Sequence, residues 1–315
     1  MSKTAMVLGG SGNLGYYLVN ELAKKSNNLI IADISNPWYV MPEKTTYEMV
    51  DALNINSIED ALKKYRVKEV IHLIGLPITS VCQNDPEKSF KLNVLTVQAT
   101  LEAMRKTGVN RIIFASAGIA YGIPKKIPVT EETPLNPHTV YGAHKAAAEY
   151  LIKAYSTLGI EYVILRLFSV ISDDIERGHT VVTTFIEKAA KKEPLTVEGE
   201  KQARDFIYAG DAAKAFAKAT EITDLENQVI NISSGKPTRI IEIAQTIKKQ
   251  FPETEIQIKK TNQEYTIYAD NTKMKTLLGI EPEDPLKAIE RIAKKYREKA
   301  YRRRTKENFP IRKTN

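Results

Sequence analysis

Through the first half of the chain, short apolar runs of β type alternate with stretches in which apolar residues recur every three or four positions. The runs are Ala5 to Leu8, Leu29 to Ala32, Thr46 to Val50, Val70 to Leu73, Arg111 to Ala115 and Tyr162 to Leu167. Helical patterns begin near Leu14, Ile58, Pro86 and Val140. A parallel strand buries both faces and its crossover helix buries one, so this alternation predicts stacked βαβ units. Right-handed crossovers then place helices on both faces of one doubly wound parallel sheet.

After Arg166 the alternation weakens. Ser172 to Thr180 is polar, carries Asp173, Asp174 and Gly178, and reads as a loop before a helix from Val182 to Lys192. A helix from Asp211 to Glu221 and a strand from Gln228 to Ile232 are expected to return to the main sheet. Pro237 to Phe251 and Pro285 to Tyr296 read as helices on either side of a strand, Glu255 to Lys259. The expected organisation is a nucleotide-binding domain over 1–168, completed by about 206–233, and a smaller α/β substrate-binding region made of 169–205 and 234–295. A basic tail, 296–315, follows.

Composition narrows the class. Hydrophobic residues make up 43% and charged residues 27%, the usage of a folded globular chain. No apolar run approaches the roughly 18 to 20 residues that span a bilayer, and the first is too short for a secretory leader, so a cytoplasmic protein with no membrane partner is expected. Cys82 is the only cysteine, which excludes an intrachain disulfide and a cysteine-based zinc site. The four histidines form no HExxH pattern, so no metal site is expected. The formal charge of +8 resides in the segment from Lys294 onward, where ten basic residues meet Glu298 and Glu307. The rest of the chain is formally neutral. A basic tail of this kind is read as a solvated feature ahead of a nucleic-acid contact, with the second reading left open.

Chemistry enters at Gly9-Gly10-Ser11-Gly12-Asn13-Leu14-Gly15, between the first strand and the first helix. Glycines at 9, 12 and 15 allow a tight turn, close approach of backbone to a pyrophosphate, and close packing of helix on strand. The helix end adds free N–H groups and positive dipole. Asp33 stands at the end of the next strand, 18 residues after Gly15, where a carboxylate accepts from both adenosine ribose hydroxyls and repels a 2′-phosphate. That favours NAD over NADP, unless Asp33 is a turn residue. Asp51 either approaches the adenine or caps the next helix.

Tyr141 and Lys145 stand four apart at the start of a helix, on one face. A phenol is a poor base near neutrality, and a neighbouring ammonium favours the phenolate, so Tyr141 is expected to exchange a proton with a substrate hydroxyl.

With both motifs in place the chain resembles the extended short-chain dehydrogenase/reductases, specifically the NAD-dependent epimerase/dehydratase family of sugar-nucleotide enzymes. The resemblance runs from Met6 to about Arg291 and includes His72-Leu73-Ile74-Gly75, Asn93-Val94, Phe114 to Gly122, Leu165 to Ser169, Arg204 to Tyr208, Asn231 to Gly235 and Ala269-Asp270. It implies a Rossmann-type sheet, NAD as cofactor, and a pairing of surface helices into a homodimer. It further implies that Gly9, Ser11, Gly12, Asn13, Leu14 and Gly15 surround the pyrophosphate, and that Asp33 holds the adenosine ribose. Asp51 and Ala52 would lie by the adenine, Leu73, Ile74 and Gly75 along the phosphates and ribose, and Lys145 on the nicotinamide ribose, with Asn93 and Ala115 in support. Phe168 and Val170 would line the nicotinamide pocket, or Phe168 would simply pack in the core. Arg204, with its planar fork of donors, would meet substrate phosphate, or else pair with Asp205. Lys260 stands where many relatives carry a second arginine.

Several positions depart from the family pattern. Ala117 occupies the place of a Ser or Thr that bonds the reacting hydroxyl. Its neighbour Ser116 replaces that hydroxyl only if the strand has ended or bulged, since successive strand residues point to opposite faces. Gly118 and Ile119 replace the Asp-Glu pair of the dehydratases, which leaves elimination without its acid and base. Ser169 replaces an Asn that often touches substrate diphosphate, and Ile78 stands near where many relatives carry a substrate-facing Ser, with Thr79 and Ser80 close by. The expected function is an NAD-dependent nucleotide-sugar epimerase of the UDP-sugar 4-epimerase kind acting through a transient keto-sugar, with Tyr141, Lys145 and Ser116 as its catalytic residues. The alternatives are a dehydrogenase or reductase of a smaller substrate and a non-catalytic NAD-binding or RNA-associated protein.

Overall fold

The computed structural model describes residues 4–25, 28–261 and 265–308, with 300–308 described by backbone alone. Thirteen strands occur among them. Seven form one parallel sheet: β1 (Ala5–Leu8), β2 (Leu29–Asp33), β3 (Thr45–Met49), β4 (Glu69–His72), β5 (Arg111–Ala117), β6 (Glu161–Leu167) and β10 (Gln228–Ile232). Between β6 and β10 come β7 (Ser169–Ile171), β8 (Leu195–Glu198) and β9 (Ala203–Tyr208), and after β10 come β11 (Pro237–Arg239), β12 (Ile256–Lys259) and β13 (Thr266–Ile267). The sheet order is β10-β6-β5-β4-β1-β2-β3, so the chain builds outward from β1 to β3 and then returns to β1's other side at β4. That reversal opens a crevice at the carboxyl ends of β1 and β4.

The helices are α1 (Asn13–Ala23), α2 (Ile55–Lys64), α3 (Thr79–Asn84), α4 (Pro86–Phe90), α5 (Thr96–Thr107), α6 (Val140–Tyr155), α7 (Val181–Ala190), α8 (Ala209–Glu221), α9 (Ile240–Gln250), α10 (Thr272–Leu278) and α11 (Pro285–Asn308). Strand alternation distributes the core. Val7, Ile31, Ile113 and Leu165 pack with residues of α1 and α8 on one face, while Met6, Leu8, Ile30, Phe114 and Ile164 pack with α2, α5 and α6 on the other. Side-chain caps start the helices that matter to the crevice: Thr139 accepts from Gly142 N–H at α6, and Thr180 and Thr183 form a capping box at α7.

A second core gathers α7, α9 and α11 around β8 and β9. There β9 pairs with β11, β13 and β7, and β12 pairs with β8. Pro237–Arg239, expected as the first turn of a helix, is instead a strand antiparallel to Ala203–Asp205, and the helix begins at Ile240. The expected helix from Pro285 to Tyr296 continues to Asn308, which takes in part of the basic tail; residues 309–315 lie outside the described part. The helical pattern near Pro86 is broken into α4, a π-helical turn at Lys91–Leu95 and α5.

Candidate active site

The crevice widens into a cleft of about 1090 Å³ that runs from the glycine turn past α6 to α7, β8, β9 and β12. Two glycines make its first wall. Gly9 has φ +82°, and a Cβ there would meet Ile74 N at 2.9 Å; a Cβ on Gly15 would meet Gly10 O at 2.2 Å. The turn is held from β2: Asp33 accepts from Ser11 N–H at 3.1 Å and from Ser35 N–H at 3.2 Å, one on each carboxylate oxygen. Each oxygen keeps a further lone pair, so the turn role leaves the expected ribose role of Asp33 possible in chemical terms. Asp51 accepts from Leu53 N–H at 2.9 Å, while the cap of α2 is Asn54, which accepts from Asn56 and Ser57 N–H. Ala52 beside it is buried.

On the β4 side, Leu73 and Gly75 line the cleft. Asn93 does not: fully buried in the π-helical turn, it accepts from Leu76 N–H at 3.0 Å and donates to Ser89 Oγ at 3.2 Å. Asn93 therefore pins the loop that carries Gly75. Ile74 forms the floor beneath Gly9.

Helix α6 turns Tyr141 and Lys145 into the cleft together. The Lys145 ammonium donates to Ala115 O at 2.6 Å and lies 4.6 Å from the centroid of the Phe114 ring, with only 4% of the residue exposed. Burial lowers its pKa to about 8, against the opposing field of Glu149. Burial also pushes the Tyr141 phenol above its ordinary value, with Cys82 adding to the effect. Desolvation therefore outweighs the effect expected of the Lys145 ammonium on Tyr141. Phe114 sits over His72, whose imidazole is fully buried and pushed down to about 3 by burial and by Lys145.

Ser116 has its hydroxyl engaged by a buried carboxylate. Strand β5 runs unbroken through Ala117, and Ser116, although it lines the cleft, donates its Oγ to the buried Glu149 Oε1 of α6 at 2.5 Å. It is Ala117 that packs beside Tyr141, together with Cys82, whose Sγ donates to Leu76 O at 3.1 Å. Phe168, Ser169 and Val170 line the cleft, and Phe168 both closes on Gly118 and stacks near Tyr121, so its pocket and packing roles are one.

At the far end Arg204 lines the cleft and does not pair with Asp205. Its guanidinium donates to Tyr265 O at 2.7 Å and to Gln202 Oε1 at 3.2 Å and lies 3.6 Å from the centroid of the Tyr265 ring. Asp205 instead accepts from Ser234, Gly235 and Ala269 N–H. Lys260 is exposed and off the cleft; its neighbour Lys259, opposite Glu198 in the β12–β8 register, lines it. Sequence reasoning missed Lys188 as well, although Val181, Thr184, Phe185 and Lys188 share one helical face by spacing and all line the cleft. Among the described residues no group of three His, Cys, Asp or Glu side chains is placed to hold a metal.

The geometry fits a dinucleotide. The turn leaves room only for backbone, the N-terminus of α1 faces the crevice, and Asn13 Oδ1 is buried beside it with no partner, an acceptor open to a hydroxyl. Comparison with known proteins agrees. Residues 5–233 match the model of the NAD dependent epimerase/dehydratase family. A protein of Methanocaldococcus jannaschii, provisionally named a UDP-glucose 4-epimerase, is 33% identical over 91% of this chain and 96% of its own. The UDP-glucose 4-epimerase of Lactobacillus helveticus is 27% identical over 88% and 91%. Among solved structures, the UDP-glucose 4-epimerase of Brucella ovis in complex with NAD superposes with a TM-score of 0.85 at 25% identity, covering 94% of this chain and 98% of that one. That of Thermotoga maritima with UDP-glucose gives 0.84 at 25%, covering 94% and 99%.

Proposed function

This chain belongs to the NAD dependent epimerase/dehydratase family and is an NAD-dependent enzyme of the extended short-chain dehydrogenase type, and from that premise we propose that it is a UDP-sugar 4-epimerase. One observation carries the reading: a single cleft holds the glycine turn at one end, Tyr141 and Lys145 at its middle and Arg204 at the other. Bound NAD would supply the hydride acceptor and donor for a sugar carbon. The turn from Gly9 to Gly15 and Asp33 would hold the cofactor, with Leu73, Gly75, Phe168 and Val170 along its length.

In this reading Tyr141 takes the proton of the sugar hydroxyl and gives it back after the keto-sugar has turned over. Lys145, charged below about pH 8, favours the phenolate once a ligand fills the cleft and draws it from Ala115 O. Arg204, Lys259 and Lys188 supply positive charge for a diphosphate, and Ser169 and Ala117 border the sugar. The exposed apolar side chains of Phe90, Leu95 and Tyr150 on α4, the π-helical turn and α6 support pairing as a homodimer. No helix among the described residues is long and apolar enough to cross a membrane, and the reading places the enzyme in the cytoplasm.

The test begins with the purified protein: denature it and quantify released nucleotide per chain. Close to one NAD or NADH per chain is expected, followed by interconversion of UDP-glucose and UDP-galactose by NMR. Tyr141→Phe should lower that rate roughly 100-fold or more. Absence of turnover on any UDP-sugar, with free exchange of cofactor, would replace the epimerase by a net dehydrogenase of the same family.

A further inference from the structure

Two loops from opposite sides of the glycine turn meet above it. One is the connection from β2 to β3, which contains Trp38 and Tyr39; the other is the connection from β7 to α7, which contains Ser172 to Thr180. The first is fastened to the turn itself: Tyr39 OH donates to Gly10 O at 2.7 Å, Ser11 Oγ donates to Ser35 O at 2.7 Å, and Tyr16 of α1 packs against both Trp38 and Tyr39. The second is fastened to the start of α1, where Asn13 Nδ2 donates to Ser172 Oγ at 2.9 Å and to Arg177 O at 3.4 Å. The loops meet where the Arg177 guanidinium is stacked 4.0 Å from the centroid of the Trp38 ring. Asp174 Oδ2 accepts from Arg177 Nη1 at 2.9 Å and fixes the guanidinium plane in that position.

Arg177 and Gly178 line the same cleft as Gly9, Gly12, Asn13 and Leu14, so the joined loops bridge the crevice at its pyrophosphate end. We propose that the Arg177–Trp38 stack is a clasp that retains the bound dinucleotide, making both side chains positioning residues for cofactor residence. Asn13 couples the clasp to the turn, because the side chain that begins α1 also holds the loop carrying Arg177. The inference rests on the family's use of NAD and gives it a chain-specific consequence: an enzyme that must recover its hydride from the same cofactor gains from a bridge that keeps the cofactor in place between the two half-reactions. The contact is half exposed, so it opens without unfolding the core, and its strength sets a release rate rather than a fold.

The experiment uses holoprotein loaded with NADH and chased with excess NAD, following loss of bound-NADH fluorescence. Arg177→Gln and Trp38→Ala are expected to release cofactor roughly three- to tenfold faster. The double variant should be no faster than Trp38→Ala alone, because the stack is the contact that both substitutions remove and Trp38→Ala already loses its packing on Tyr16 as well, and Trp38→Phe, which keeps an aromatic face, should stay within about twofold of the unsubstituted protein. Thermal midpoints of the cofactor-free forms are measured alongside and should match. Unchanged release in both single variants, or rate increases that multiply in the double, would overturn the clasp. Failure of the epimerase reading is separable: accelerated release without any sugar-nucleotide turnover removes that reading and leaves the clasp, whereas turnover with unchanged release does the reverse.

Discussion

Glu149 and Arg166 form an ion pair, Oε2 to Nη2 2.7 Å, in which neither side chain is more than 3% exposed. Arg166 also donates to Tyr121 OH at 2.8 Å and to Glu131 O at 3.2 Å, and Glu149 receives Ser116 Oγ. Tyr121 OH passes the chain on to Asn231 Oδ1 at 2.7 Å, which ties β10 to β6 and to the end of β5. Every polar group of this cluster that faces the interior has a partner, so it fixes how the strand that carries Ala117 sits under α6.

Breaking the pair from one side leaves the buried Glu149 carboxylate with only the Ser116 hydroxyl and the Lys153 ammonium at 4.0 Å. Arg166→Met should cost about 3–5 kcal/mol of stability, measured by urea unfolding of the cofactor-free protein. A loss below about 1 kcal/mol would show that solvent reaches Glu149.

Ser116→Ala removes one donor to the same carboxylate. The expected result is a stability loss of about 1–2 kcal/mol with turnover retained, the opposite of what a catalytic hydroxyl would give. A hundredfold fall in rate at unchanged stability would return Ser116 to the chemistry.

These two positions show what a sequence carries and what it withholds. The glycine turn, Asp33 and the Tyr141–Lys145 spacing are local signals, and the unbroken strand through Ala117 follows from the apolar run of β5. Glu149 as the partner of Ser116 was not legible, because it lies 33 residues away across a helix-to-sheet contact. Strand β11 was hidden for the same reason: Pro237–Arg239 has no strand period of its own and is extended only because β9 pairs with it. Counting back from Asp270 points to Lys260, whereas the β12–β8 register decides that Lys259 reaches the cleft.

In the proposed epimerase, Ala117 leaves the sugar hydroxyl with one fewer hydrogen-bond partner than a Ser or Thr would give. Ala117→Ser adds an oxygen beside Tyr141 where the present neighbour is Cys82. Turnover of the sugar nucleotide should rise about tenfold, with NADH affinity unchanged. An unaltered rate would mean that the chain already meets that need through another group.

Lys145 gives the chain a pH signature. Its pKa falls from 10.5 unfolded to about 8 folded, chiefly through burial, so the unfolded chain binds more protons between those values and stability rises with pH across that window. Below about pH 8 the buried charge carries its full cost, on the order of 3 kcal/mol. The difference in unfolding free energy between the unsubstituted protein and Lys145→Met should therefore change between pH 8 and 10.5 in favour of the former. A flat difference would place the ammonium in water.

Arg204 combines a stack on Tyr265 with hydrogen bonds to Tyr265 O and Gln202, and burial lowers its pKa without removing its charge. The bonds pre-orient a planar fork toward the cleft, which a lysine has no means to reproduce. Arg204→Lys keeps the charge and loses both the plane and the stack, so KM for the sugar nucleotide should rise about tenfold while kcat falls by less than about threefold, the mark of binding that acts equally on ground and transition states. Cofactor release should be unaffected, because Arg204 and the glycine turn occupy opposite ends of the cleft. A fall in kcat with constant KM would instead assign Arg204 to the reacting centre, and initial-rate measurements across a range of UDP-sugar concentrations separate the two outcomes.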